Sequence, residues 1–150
     1  MELSDFDYNE DNFGKDLRRA EVGFKRGKTY FLDLVDHWQR FIDAKLSSDI
    51  VLKVDPGSDM ATGVILGKQF ALHLSQVSRG EHGLTAVLLT LNDRVNKSEL
   101  ELDRFYLNAR GEVLSKTGEL LLSSQEDDSS ASIRLFYAIL LRVLKAEPWA

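Results

Sequence analysis

Hydrophobic positions fall at helical spacing in two stretches, one towards each end of this chain, and alternate with polar ones in between. At 3.6 residues per turn, Ile133–Lys145 puts Ile133, Phe136, Tyr137, Ile139, Leu140, Leu141, Val143 and Leu144 on one broad arc. Arg134, Arg142 and Lys145 fall on the narrow strip opposite. A helix so one-sided needs an apolar surface to lie on. Residues 29–46 repeat the pattern: Tyr30, Phe31, Leu34, Val35, Trp38, Phe41, Ile42 and Leu46 share one side, and Asp33, Asp36, Gln39, Arg40 and Asp43 the other. Thr29 is placed to cap its start.

From 49 to 123 the period drops to two, the repeat of a strand with one buried face. Ile50, Leu52 and Val54 begin it, and Asp55-Pro56-Gly57-Ser58-Asp59 breaks it with turn residues. A strand region is expected over 64–77, bent or bulged at Gly67, with Phe70, Leu72 and Leu74 on one face and Ala71, His73 and Ser75 on the other. Turns at 78–82 and 92–97 flank a strand over 84–91. Leu100 and Leu102 then alternate with Glu99, Glu101 and Asp103 before the apolar phase shifts to Phe105 and Leu107. That shift predicts a bulge near Asp103-Arg104. Asn108-Ala109-Arg110-Gly111 reads as a hairpin turn with Gly111 at positive φ, and short strands follow around Val113-Leu114 and Leu120-Leu122. Residues 123–132 form a polar connector whose acids precede the last helix, in agreement with its dipole.

Short turns between successive strands favour antiparallel pairing. The fold class predicted is α+β: an antiparallel meander of about five to six strands, with an N-terminal and a C-terminal helix packed on one face. Residues 29–150 make a single α+β domain on this reading, and residues 1–28 a flexible segment, first acidic and then basic. On the second sheet face Leu88 and one of Leu121 or Leu122 are left over, which suggests cover by the N-terminal segment or by a second copy.

Composition narrows the function classes. The net charge of -5 disfavours a general nucleic-acid binder. Cysteine is absent, which excludes thiol chemistry and disulfides and suits a reducing cytoplasm. The first residues are acidic, without the apolar run of a signal peptide, and no stretch has the unbroken apolarity of a membrane span. Asp5-Phe6-Asp7-Tyr8-Asn9 starts like a calcium loop, but Glu10 stands where that loop needs Gly and Asp16 where it needs Glu. Lys15, Arg18, Arg19, Lys25, Arg26 and Lys28 then turn the segment basic. Asp11 or Asn12 could cap a short helix to Ala20, with Gly23 and Gly27 punctuating a connector after it.

Chemical motifs are scarce. There is no phosphate-binding glycine loop, nucleophile elbow or H-E-x-x-H pattern. His37, His73 and His82 are scattered without a third metal ligand, and no cofactor is called for. Glu99, Glu101 and Asp103, alternating on a strand, would sit about 7 Å apart. Three acids on a wet strand stay ionised, so they suit a basic partner better than acid–base catalysis. The expected function is a non-enzymatic protein-binding module of adaptor, chaperone, toxin-neutralising or regulatory type. Its contacts would be Glu99, Glu101 and Asp103 for a basic protein, and Leu88 for a second copy in a homodimer. A second reading is a small-molecule site or enzyme in a cavity between helices and sheet, lined by Tyr30, Trp38, Phe41, Phe70 and Tyr137, with His37 or His73 as a polar group. A third is nucleic-acid binding through the basic residues of 15–28.

Overall fold

The computed structural model describes residues 1–46, 49–55, 57–79, 82–123 and 129–147. In chain order they form a single 3-10 turn (Leu3–Phe6), helix α1 (Glu10–Lys45), strands β1 (Ile50–Val54), β2 (Met60–Ile65), β3 (Lys68–Arg79), β4 (His82–Asp93), β5 (Ser98–Leu107), β6 (Val113–Leu114) and β7 (Leu120–Leu122), and helix α2 (Ser129–Lys145). The fold class is α+β. Each strand pairs antiparallel with its sequence neighbours, in the order β1-β2-β3-β4-β5-β6-β7. Both helices pack on one face of the curled sheet. Among the described residues no helix is long and apolar enough to cross a membrane.

The packed face follows from the alternation. Leu72 pairs with Ala61 on one side and Leu89 on the other, and Val87 pairs with Leu74 and Phe105, so inward residues stack across the sheet. They join Phe31, Val35, Trp38 and Ile42 of α1 and Phe136, Ile139, Leu140 and Val143 of α2 in one buried cluster. Trp38 ties the helices together. Its ring stacks on Phe136 with centroids 5.1 Å apart, and its indole N–H donates to the Ser132 carbonyl at 3.0 Å.

Residues 13–28 are not a connector. They belong to one helix of 36 residues, about 54 Å long, that starts at Glu10 and runs through residue 28 without a break. Asn9 is its N-cap, accepting from the Asn12 N–H at 2.8 Å. Thr29, expected as a cap, lies mid-helix, and its hydroxyl donates back to the Lys25 carbonyl at 3.0 Å. The two glycines that look like punctuation are contact points. A Cβ on Gly23 would stand 3.1 Å from the Gly83 carbonyl oxygen, and one on Gly27 would stand 2.0 Å from Thr85 Oγ1. Their bare backbone lets α1 lie close on β4.

The sheet has seven strands because Gly67 makes a turn rather than a bend. Leu66 and Gly67 have φ of 47° and 81°, the paired positive values of a two-residue hairpin joining β2 to β3. Lys68 follows at once and caps α2: its ammonium donates to the carbonyls of Val143, Leu144 and Ala146 at 3.2, 2.9 and 2.7 Å. In β5, Leu89 pairs with Asp103 and Thr90 with Glu101, so Leu102 is the extra residue of a bulge. It sits one position before the expected Asp103-Arg104. Between β4 and β5, buried Asp93 holds the turn: Oδ1 accepts from the N–H groups of Val95 and Asn96 at 3.0 and 3.2 Å, and Oδ2 from Asn96 Nδ2 at 2.7 Å. These bonds, the Asn96 N–H first, hold its carboxyl below the ordinary range despite burial. Parts of the turn expected at 78–82 and of the connector at 123–132 lie outside the described residues.

Candidate functional site

The apolar seam of α1 runs Phe13, Leu17, Ala20, Phe24, Gly27, Phe31, Val35, Trp38, Ile42, a step of three or four each time. Burial along it begins only at Ala20. Phe13 and Leu17 therefore continue a core seam into solvent. Near this point the helix forms one wall of an open groove of about 900 Å³. Val22 and Gly23 of α1, Gly83 and Leu84 of β4, and Leu114 of β6 give it a mostly apolar floor. Arg18, Arg19 and Arg110 also line it.

Arg110 is set in place by its turn. Asn108 Oδ1 accepts from the backbone N–H of Arg110 and of Glu112, both at 3.0 Å, while Gly111 takes φ of 79° as expected. Several other cations are engaged by acids. Lys28 pairs with Asp59 at 2.6 Å, Arg40 with Asp36 at 3.1 Å, and Lys116 and Arg142 with Asp103 at 3.6 Å. Among the described residues Arg18, Arg19 and Arg110 pair with no acid. Guanidiniums beside an apolar floor suit carboxylates that arrive attached to apolar side chains.

The acidic trio does not present one face. Beside the bulge at Leu102, Asp103 meets Lys116 of the β6–β7 turn and Arg142 of α2. Glu101 accepts from Arg104 Nε at 2.9 Å. That bond, helped by Tyr106, raises the guanidinium's pKa above its usual value. Glu99 Oε1 lies 3.3 Å from His73 Nε2, which also meets Thr90 Oγ1 at 3.1 Å. Each acid is answered within the chain. Leu88, half-buried, sits in register between His73 and Arg104.

The residues expected around a ligand cavity are spread over the fold, and Phe70 also borders a second groove together with Glu99. Trp38 and Phe70 are core. Phe41 and Tyr137 meet edge-to-face at 5.9 Å, with Tyr137 exposed. Tyr30 packs beside Gly111, His37 is half-buried on α1, and His73 alternates with Leu72 and Leu74 onto the other sheet face. Among the described residues no three His, Cys, Asp or Glu side chains come close enough to hold a metal ion. Arg18 and Arg19 stand in the basic run of the sequence and Arg110 in the hairpin turn. Nothing in the sequence joins them, because the junction depends on α1 being one helix laid on β4. Comparison with known proteins adds no relative: no family model matches the chain, and no curated protein or solved structure matches it significantly.

Proposed function

We propose that the chain is a non-enzymatic protein-binding module, acting in the cytoplasm, whose groove takes an acidic polypeptide segment carrying apolar side chains. One observation carries this reading: Arg18, Arg19 and Arg110, without acidic partners among the described residues, line a mostly apolar groove that the fold leaves open. A nucleic-acid backbone would use the cations and waste the floor. An acidic, apolar peptide uses both. Homodimer formation belongs to the same reading, since the chain's own first residues have that chemistry. The Glu99, Glu101, Asp103 and Leu88 surface is the weaker candidate, because its charges are met internally.

Fluorescence anisotropy tests the proposal with three labelled probes: a peptide alternating Asp and Glu with Leu, Phe and Tyr, its counterpart with Lys for every acid, and a single-stranded oligonucleotide. The acidic peptide should saturate the protein at micromolar concentration and lose at least about tenfold in affinity against the Arg18→Glu/Arg110→Glu chain. Equal binding of the Lys counterpart would overturn the reading. So would an oligonucleotide that binds more tightly than the peptide and weakens steeply with salt.

A further inference from the structure

We infer that the groove is filled by the N-terminal arm, residues 2–8, of a second copy of this chain, exchanged reciprocally in a twofold dimer. The inference rests on the groove being a protein-docking surface and names what occupies it.

The arm has the chemistry the groove asks for. Glu2-Leu3-Ser4-Asp5-Phe6-Asp7-Tyr8 interleaves acids with large apolar groups. Leu3, Phe6 and Tyr8 are 86%, 72% and 55% exposed, three large apolar side chains left in water within six residues. With Glu10 and Asp11 the segment carries five acids and no base. It is also partly ordered already: the Asp5 carboxylate accepts from the Glu2 N–H at 2.6 Å and the Asp5 N–H donates to the Glu2 carbonyl at 3.0 Å, closing the Leu3–Phe6 turn. A segment ordered before it docks loses less entropy on docking.

The geometry agrees. Let two α1 helices cross antiparallel at Gly14, so that each residue before Gly14 lies level with one equally far beyond it in the other copy. Glu10 then faces Arg18, and the arm that precedes Glu10, which is not part of the helix, continues toward the Arg18–Gly23 stretch of the other copy that borders the groove. Phe13 and Leu17, the exposed end of the seam, come to lie in the contact. Gly14 has nothing within 4 Å of where a Cβ would stand, so within one copy its bareness serves no contact. At a helix crossing it permits close approach. Arm, seam and groove together offer about 20 residues a side, the size of a standard interface. The exchange is self-complementary, as a twofold interface must be.

Sedimentation velocity of the full chain at about 100 μM should give twice its 17.0 kDa mass. Asp7→Lys/Glu10→Lys and Arg18→Glu/Arg19→Glu should each weaken association at least about tenfold, with circular-dichroism melts showing that both still fold. Where either pair does not fold, the corresponding Asn, Gln and Arg→Gln changes replace it, with the same expectation in weaker form. An equimolar mixture of the two reversed chains should dimerise within about threefold of the wild type, because each reversed arm then meets a reversed groove. A wild type that stays monomeric, a dimer indifferent to both reversals, or a mixture that stays apart overturns the exchange. If the monomeric wild type still binds the acidic peptide, the exchange alone falls; if it binds no peptide, the docking reading falls with it.

Discussion

Replacing Gly27 by alanine sets two effects against each other. In a solvated helix interior the change stabilises by about 0.5–1 kcal/mol, since alanine loses less backbone freedom on folding. At Gly27 the new Cβ would stand 2.0 Å from Thr85 Oγ1 and 2.7 Å from Thr85 Cβ. Turning the hydroxyl away does not help, because Thr85 Cβ is fixed to the backbone of a central strand. Carbon atoms settle at about 3.5–4.0 Å, so α1 must lift from β4 by roughly 1 Å. Overpacking of this kind costs about 1–3 kcal/mol, and the upper end applies where both neighbours are backbone-anchored. The net loss is about 2 kcal/mol, or roughly 4–8 °C in Tm. Gly14→Ala is the internal control: nothing lies near its Cβ position, so dilute protein should gain about 0.5–1 kcal/mol. Adding Thr85→Ala to Gly27→Ala should return part of the loss, a coupling that urea titrations followed by circular dichroism can measure. If Gly27→Ala proves as stabilising as Gly14→Ala, the close approach of α1 to β4 is refuted.

Thr85 Oγ1 is buried without a hydrogen-bond partner, so Thr85→Val should raise the unfolding free energy by about 1 kcal/mol in the same titration. Leu66 holds φ of 47° in the β2–β3 turn, and Leu66→Asn should stabilise by roughly 1 kcal/mol, since asparagine enters that region more readily. Lys68→Met keeps the aliphatic stem but drops the ammonium that caps α2. We expect a loss of about 1–2 kcal/mol and faster amide exchange in the last turn of that helix. Asp93 has its folded pKa depressed, so its contribution is complete above the ordinary carboxylate range and is lost as pH falls through and below it. Asp93→Asn should flatten that part of the stability–pH curve and leave its neutral limb unchanged in slope.

The α+β class, the meander and the two helix seams were legible because burial writes itself as periodicity. Phe70, Leu72 and Leu74 alternate, Phe31, Val35 and Trp38 recur at helical spacing, and both patterns survive in the buried cluster. The bulge was legible too, as a slip in phase between Leu102 and Phe105. What failed were the glycines. Gly23 and Gly27 read as breakers because a glycine's local cost is visible in sequence, while the partner that repays it, Gly83 or Thr85, lies far along the chain. Gly67 failed the other way: Leu66 before it is a poor turn residue, so a full reversal looked like a bend. The groove was illegible for the same reason as α1. Arg18 and Arg110 are ninety-odd positions apart, and only the uninterrupted helix brings their neighbourhoods together. The partners of the β5 acids, Lys116, Arg142, Arg104 and His73, were illegible because they come mostly from other elements.

Strict sequential strand order has a consequence for synthesis. Helix α1 leaves the ribosome before every strand of the sheet, yet it makes its most extensive sheet contact with β4, which begins only at His82. At about 5–20 residues per second the greasy flank of that helix waits a few seconds for its partner. The hairpins β1–β2 and β2–β3 can zip up locally meanwhile, but they leave the Gly23–Gly27 stretch uncovered until β4 arrives. A stall before residue 82 should therefore leave the nascent chain more prone to aggregate than one after β4 has emerged.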